Sequence, residues 1–201
     1  MNAQFITLEG VDGAGKSSFV PWIEQRLRSA GRTVLVTREP GGTAAGEELR
    51  SILLHGDVSP ATEVLMLFAA RKEHLEKVIV PALRAGTWVL CDRFTDATFA
   101  YQGAGRGVDV EHIAYLEHWI QGGLQPDLTI LFDLPVDVAR ARSASARHPD
   151  RFESEQIDFF DRVRQGYRVR AMQYPARMRV IDASGSMGEV QAQLAAIELL
   201  R

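Results

Sequence analysis

One stretch near the N-terminus, Gly10-Val11-Asp12-Gly13-Ala14-Gly15-Lys16-Ser17, limits what the rest of the chain can fold into. It fits the spacing G-x-x-x-x-G-K-[ST], a loop whose backbone cradles phosphate groups. Before it, Phe5-Ile6-Thr7-Leu8 is an apolar, β-prone run. After it, residues 16–30 read as a helix with a charged outer face. Strand, loop and helix follow in the order that phosphate binding needs. Glycines let the backbone wrap an anion without Cβ clashes. The loop N–H groups and the positive end of the helix then point at that anion. Lys16 is placed to reach terminal phosphates, and the Ser17 hydroxyl to ligate Mg²⁺. The competing reading is a glycine-rich turn ahead of an ordinary helix.

Short β-prone runs alternate with longer helical patterns along the whole chain. Strands are predicted at 4–8, 33–37, 87–91, 128–133 and 178–182, all apolar on both faces. That pattern marks a parallel sheet covered by helices on both sides. Helices are predicted at 16–30, 43–54, 61–84, 109–121, 135–146, 155–172 and 187–200. Gly31 and Gly86 stand where C′ glycines end helices, Asp109 and Ser154 where N-caps begin them, and Pro135 suits a first turn. The expected fold is a single α/β P-loop domain over 1–201, with a five-stranded parallel sheet between two helical layers.

Composition narrows the partners. A formal charge of −3 gives no general reason to expect nucleic-acid binding, so phosphate affinity must come from local clusters. The single cysteine, Cys91, cannot form an internal disulfide and suits a reducing compartment; it reads as a small buried hydrophobe. The first residues lack the pattern of a signal peptide. No apolar run reaches the ~20 residues that span a bilayer. A soluble cytoplasmic protein is expected.

Ligands of open α/β sheets sit at the carboxyl ends of the strands. After the second strand come Arg38-Glu39-Pro40-Gly41-Gly42-Thr43, a tight turn that presents Arg38 as a phosphate clamp. After the third come Asp92-Arg93-Phe94, read either as a local ion pair or as groups beside Mg²⁺ and a transferring phosphoryl. In helix 61–84, Val64, Phe68, Arg71 and Leu75 share a stripe. Phe68 and Arg71 form either a pocket wall for a flat base or a core face whose arginine meets a buried carboxylate. The run from Thr98 to Gly107, with Tyr101 and Gln102, suits reading a nucleoside, or forms a surface loop. Residues 140–153 carry Arg140, Arg142, Arg147 and Arg151 among small residues, and read as a mobile lid or a solvated helix end. An arginine brought in by such a lid is worth on the order of 10³–10⁵ in rate.

As a set, these residues resemble the thymidylate kinase family in its bacterial form, over almost the whole chain. The landmarks are Thr37-Arg38-Glu39-Pro40-Gly41-Gly42-Thr43, Phe68-Ala69-Ala70-Arg71, Asp92-Arg93-Phe94, Ala100-Tyr101-Gln102-Gly103 and Asp150-Arg151-Phe152-Glu153, besides the loop with Asp12. The resemblance implies transfer of the ATP γ-phosphoryl to dTMP. It implies that Gly10, Val11, Asp12, Gly13, Ala14, Gly15, Lys16, Ser17 and Ser18 hold ATP, with Ser17 and Asp92 at Mg²⁺. Asp12, Arg38, Phe68, Arg71, Arg93, Thr98, Tyr101 and Gln102 are assigned to dTMP. Lys16, Arg38, Arg93, Arg147 and Arg151 are assigned to catalysis. Gly13 leaves the loop without an arginine, so the lid must supply it. Pro149 interrupts the lid, and Ala97 stands where many relatives carry a small polar residue. The family also suggests a homodimer; Leu65, Met66, Leu67, Val78, Ile79 and Val80, on several faces of helix 61–84, serve either a dimer contact or a core. Two rivals are a kinase for another nucleoside or nucleotide and a slow P-loop switch protein.

Overall fold

The computed structural model describes residues 3–143, 151–152 and 155–198. Five strands, β1 (Phe5–Glu9), β2 (Val34–Arg38), β3 (Trp88–Asp92), β4 (Leu128–Asp133) and β5 (Met178–Asp182), form one sheet in the order β2-β3-β1-β4-β5. Every neighbouring pair is parallel. Observed strands lie within one residue of the predicted ones. β1 is central, and the chain moves to one side of it for β2 and β3 and to the other for β4 and β5. The crevice at that reversal, above the tip of β1, is where such sheets bind ligands.

The helices are α1 (Lys16–Ser29), α2 (Ala44–His55), α3 (Pro60–His74), α4 (Val80–Arg84), α5 (Thr95–Thr98), α6 (Val110–Gln121), α7 (Val136–Ser143), α8 (Ile157–Gln173) and α9 (Met187–Ala196). The inner strands β1, β3 and β4 are buried on both faces because both are covered, whereas the edge strands β2 and β5, expected to be apolar on both faces, leave side chains such as Val36 and Val180 exposed. Ile6, Leu8 and Leu90 join one buried cluster with Phe19, Ile23 and Leu27 of α1. Their neighbours Phe5, Val89 and Cys91 join another with Leu75 and Ile79. Burial pushes the Cys91 thiol well above its usual range, as expected of an inert core cysteine.

Two helical expectations are corrected. The predicted helix 61–84 is interrupted by a π segment, Leu75–Ile79, between α3 and α4. Pro81 has no N–H to continue an i→i−4 ladder, and the turn widens just before it so that the Val80 N–H bonds Leu75 O. The run 98–107 is not a surface loop. α5 leads into a second π segment, Phe99–Gly105, and Thr98, Tyr101 and Gln102 are all buried. Its glycines serve close packing: a Cβ on Gly105 would meet Phe159 of α8 at 2.7 Å, and one on Gly166 would meet Ala104 at 2.7 Å.

The terminal signals at Gly31, Gly86 and Asp109 hold: the first two have φ of +78° and +79°, and the Asp109 side chain accepts from the Glu111 N–H at 2.9 Å. Pro135 stands directly before α7. Ser154 and residues 144–146 lie outside the described residues. α9 ends at Ala196, short of the predicted 200.

One buried ion cluster ties α5, α8 and β5 together. Asp96 accepts from Arg170 Nε at 2.8 Å and from Arg177 Nη1 and Nη2 at 2.7 and 2.9 Å. Burial alone would raise the Asp96 carboxyl, but Arg177 and Arg170 hold it below its usual range. Its contribution to stability is therefore present at neutral pH and is lost as pH falls through that depressed value. Replacing Asp96 with Ala leaves Arg170, 5% exposed, with Glu117 at 3.5 Å as its remaining ion pair, and Arg177 with the Thr129 hydroxyl in place of a carboxylate. Urea unfolding of Asp96→Ala at neutral pH is expected to show a loss of about 3–5 kcal/mol.

Candidate active site

Two clefts open at the strand tips. The first is lined by the loop 12–18, Arg38, Asp92, Arg93, Arg142 and the Ala183–Gly185 turn after β5. Gly10, Gly13 and Gly15 take φ of +140°, +79° and +88°, which favours glycine at each. A Cβ on Gly10 would meet Phe132 O of β4 at 2.5 Å. Gly15 caps α1 without any side-chain hydrogen bond, so the first N–H groups of α1 have no side-chain cap. Lys16 is 6% exposed, and its ammonium donates to Gly10 O at 2.9 Å and Val11 O at 3.1 Å. Burial and the nearby Arg93 cation push its pKa down to about 8, against the pull of Asp92, Asp12 and Glu9. Asp92 Oδ1 is buried and without a hydrogen-bond partner.

The second cleft is lined by Asp12, Glu39, Arg50, Leu67, Arg71, Arg93, Phe94, Ala97, Tyr101, Gln102 and Phe152, among others. Its floor is a buried polar chain. Arg71 Nε donates to Glu39 Oε2 at 2.8 Å, and Arg71 Nη2 donates to Thr98 Oγ1 at 3.2 Å. His74 Nδ1 lies 3.0 Å from Glu39 Oε1, and His74 Nε2 lies 2.7 Å from Thr37 Oγ1. The guanidinium of Arg71 stacks on Phe68 and Phe94 at 4.8 and 5.0 Å. Its Nη1 is buried without a partner. That is a donor held ready on the wall of an otherwise largely apolar slot.

Asp12 and Arg93 line both clefts. Arg93 is the sole described non-glycine residue with positive φ, +68°; such a conformation costs of order 1–3 kcal/mol and clusters at functional sites. Arg93 Nη2 donates to Asp12 Oδ1 at 2.5 Å and to the Tyr101 hydroxyl at 3.0 Å, while Nη1 donates to the Tyr167 hydroxyl at 3.0 Å. Burial would raise the Asp12 carboxyl, but Arg93 and Lys16 hold it below its usual range. A fixed cation thus stands where an anion in one cleft would face an anion in the other.

Comparison with known proteins agrees with this arrangement. The family model described as Thymidylate kinase matches residues 8–194. The chain is 56% identical over 196 residues to a thymidylate kinase of Cupriavidus necator, covering 96% of this chain and 97% of that one. It is 56% identical over 191 residues to one of Bordetella petrii, covering 95% and 92%. A crystal structure of thymidylate kinase from Ehrlichia chaffeensis superposes with a TM-score of 0.78 at 32% identity, covering both chains completely. The chain belongs to the thymidylate kinase family.

The two clefts take in only some of the residues assigned through the thymidylate kinase resemblance. Phe68 is 2% exposed, packs with Val64, Phe99 and Ile113, and does not line the second cleft; Leu67 does. Thr98 touches Arg71 from behind and lines neither cleft. Arg38 lines only the first cleft and pairs with Glu47 Oε1 and Oε2 at 3.0 and 2.9 Å. Arg151 is turned away from the loop: it forms an ion pair with buried Glu63, and its Nη1 donates to Gly56 O at 2.7 Å. Arg147 and most of the expected lid lie outside the described residues. Gln102 lines the second cleft and donates to Glu63 Oε2 at 3.0 Å.

Sequence reading missed Glu39 as the partner of Arg71, Arg50 in both clefts, and Glu63 as a buried hub. Glu39 and Glu63 carried no spacing signal, because their partners come from distant segments. Leu67 had one: it stands four residues before Arg71, on a shared helical face.

The depressed Lys16 pKa gives a test. A bound polyphosphate favours the ammonium form, so ATP binding between about pH 8 and 10 takes up a proton. Calorimetry at about pH 9 in two buffers of different ionisation enthalpy should show that uptake. Lys16→Met should abolish it, and a lysine titrating in its ordinary range would show little.

Proposed function

We infer that this chain is a thymidylate kinase, transferring the γ-phosphoryl of ATP to a phosphate oxygen of dTMP and giving dTDP and ADP. The observation that carries the reading is the sharing of Asp12 and Arg93 by a glycine-loop cleft and a slot with an unpaired buried guanidinium N–H. The first cleft takes ATP, with the amides of 12–18 and Lys16 on its phosphates. The second takes dTMP. Arg71 Nη1 donates to a base carbonyl, Leu67 and Phe94 wall the ring, and Tyr101 with Asp12 lies at the sugar. Arg93 receives the acceptor phosphate, with Arg38 and Arg50 adding positive charge at the junction.

The acceptor phosphate is a dianion near neutral pH and attacks in line without a strong base. The work of the protein is to hold two polyanions together and offset their repulsion. Mg²⁺ fits the first cleft, where Ser17 and the Asp92 carboxylate, with its unsatisfied buried Oδ1, would hold it. When bound it neutralises charge on the phosphates. Lys16 spans the donor phosphates and Arg93 orients the acceptor, so the two substrates meet without a water between them. Arg147 is the lid arginine of this reading. Arg151 instead secures the acceptor wall beside Phe152, which packs edge-on to Tyr101.

The protein acts as a homodimer in the cytoplasm. Supporting the dimer, Leu65 of α3 and Tyr115 and Trp119 of α6 are 59%, 69% and 67% exposed on two helices packed together. No helix among the described residues is long and apolar enough to cross a membrane.

With ATP and a panel of dTMP, dUMP, dCMP, AMP and thymidine, dTMP should be the preferred acceptor, and Lys16→Met should eliminate turnover. Preference for thymidine would point to a nucleoside kinase, and slow hydrolysis without transfer to a switch protein. Light scattering should give a mass near twice that of one chain, and Trp119→Glu should lower it.

A further inference from the structure

Two tyrosines hold the Arg93 guanidinium, and each hands its own proton to a carboxylate. Tyr101 donates to Asp12 Oδ2 at 2.7 Å, and Tyr167 donates to Glu9 Oε2 at 2.9 Å. Both phenol oxygens accept from Arg93 at 3.0 Å. The Asp12 branch faces the clefts. The Glu9 branch does not: Glu9 and Tyr167 are both 0% exposed, and neither lines a cleft.

Glu9 does a second thing. Its Oε1 accepts the backbone N–H of Phe94 at 2.7 Å. One carboxylate at the tip of β1 therefore grips both the backbone directly after Arg93 and, through Tyr167, the far end of the Arg93 side chain. Arg93 is the residue that needs such a grip, with its left-handed φ of +68°. The Arg93 N–H is also tied to β1, at Leu8 O, 2.9 Å away. A carboxylate here is costly. Burial and the neighbouring Asp96 push Glu9 up to about 8, against the pull of Arg93, the Phe94 amide and Tyr167. An apolar residue would fill this place in the sheet without that cost.

We propose that Glu9, through Tyr167 and the Phe94 amide, is a positioning residue that fixes Arg93 in the geometry receiving the acceptor phosphate. The proposal deepens the assignment above and rests on Arg93 being the acceptor-phosphate ligand.

Tyr167→Phe removes one hydroxyl and keeps the ring packing. Glu9→Gln keeps an acceptor for the Phe94 N–H but offers an amide in place of one carboxylate oxygen. Each is expected to raise KM for dTMP about tenfold, the loss of one charge-assisted hydrogen bond. KM for ATP and kcat at saturating dTMP stay within about threefold. The double variant should be no worse than the poorer single one, because the two act in series. Unchanged KM for dTMP in Tyr167→Phe, effects that multiply in the double variant, or equal rises in both KM values would each overturn the proposal. Arg93→Lys measured alongside separates the two levels. If it leaves KM for dTMP unchanged, the acceptor-site reading itself fails. If it raises that KM while Tyr167→Phe does not, only the positioning role fails.

Discussion

Keeping the Arg93 charge at the tip of β3 is the constraint on which the site's other features depend. A guanidinium that is 17% exposed must be repaid in hydrogen bonds. The chain does this with Asp12 from the glycine loop, Tyr101 from the second π segment and Tyr167 from α8. These come from three separate parts of the sequence, and the parallel sheet brings them together because its strand tips converge on one crevice. Burial and the same cation depress Lys16, and Arg93 with Lys16 holds the Asp12 carboxyl below its usual range. The glycine loop and the second cleft are thus electrostatically joined.

A second consequence is the amount of ionisable material buried near the tips. Glu9, Glu39, Glu63 and Asp96 are each at most 5% exposed, and each is matched to at least one donor. Such networks are costly to bury and give little net stability, but they allow few alternative arrangements. Arg71 Nη1 is left without a partner while Glu39 and Thr98 occupy the other two nitrogens.

The sheet and the glycine loop were legible in the sequence because both are local. Continuous apolar runs give buried parallel strands, and G-x-x-x-x-G-K-S fixes the loop by spacing alone. The wall of the slot was half legible. An arginine on an apolar stripe flagged the place, but the stripe named Phe68 as the wall, and that ring lies in the core while Leu67, off the stripe, lines the slot. The run 98–107 misled because its glycines look like turn residues; Gly103 and Gly105 are there for helix contact, and only Gly107 takes positive φ in open space. Glu39, Glu63 and Tyr167 gave no signal, since each acquires its role from partners 32 or more residues away: Arg71 for Glu39, Gln102 for Glu63, and Arg93 for Tyr167.

The close approach of α8 to the second π segment has a consequence for how such a chain can vary. At Gly105 and Gly166 there is no room for even one added carbon beside Phe159 and Ala104. The seam between α8 and the second π segment is therefore a fitted joint. A side chain that grows there must push a helix aside, so α8 and the second π segment can change only together.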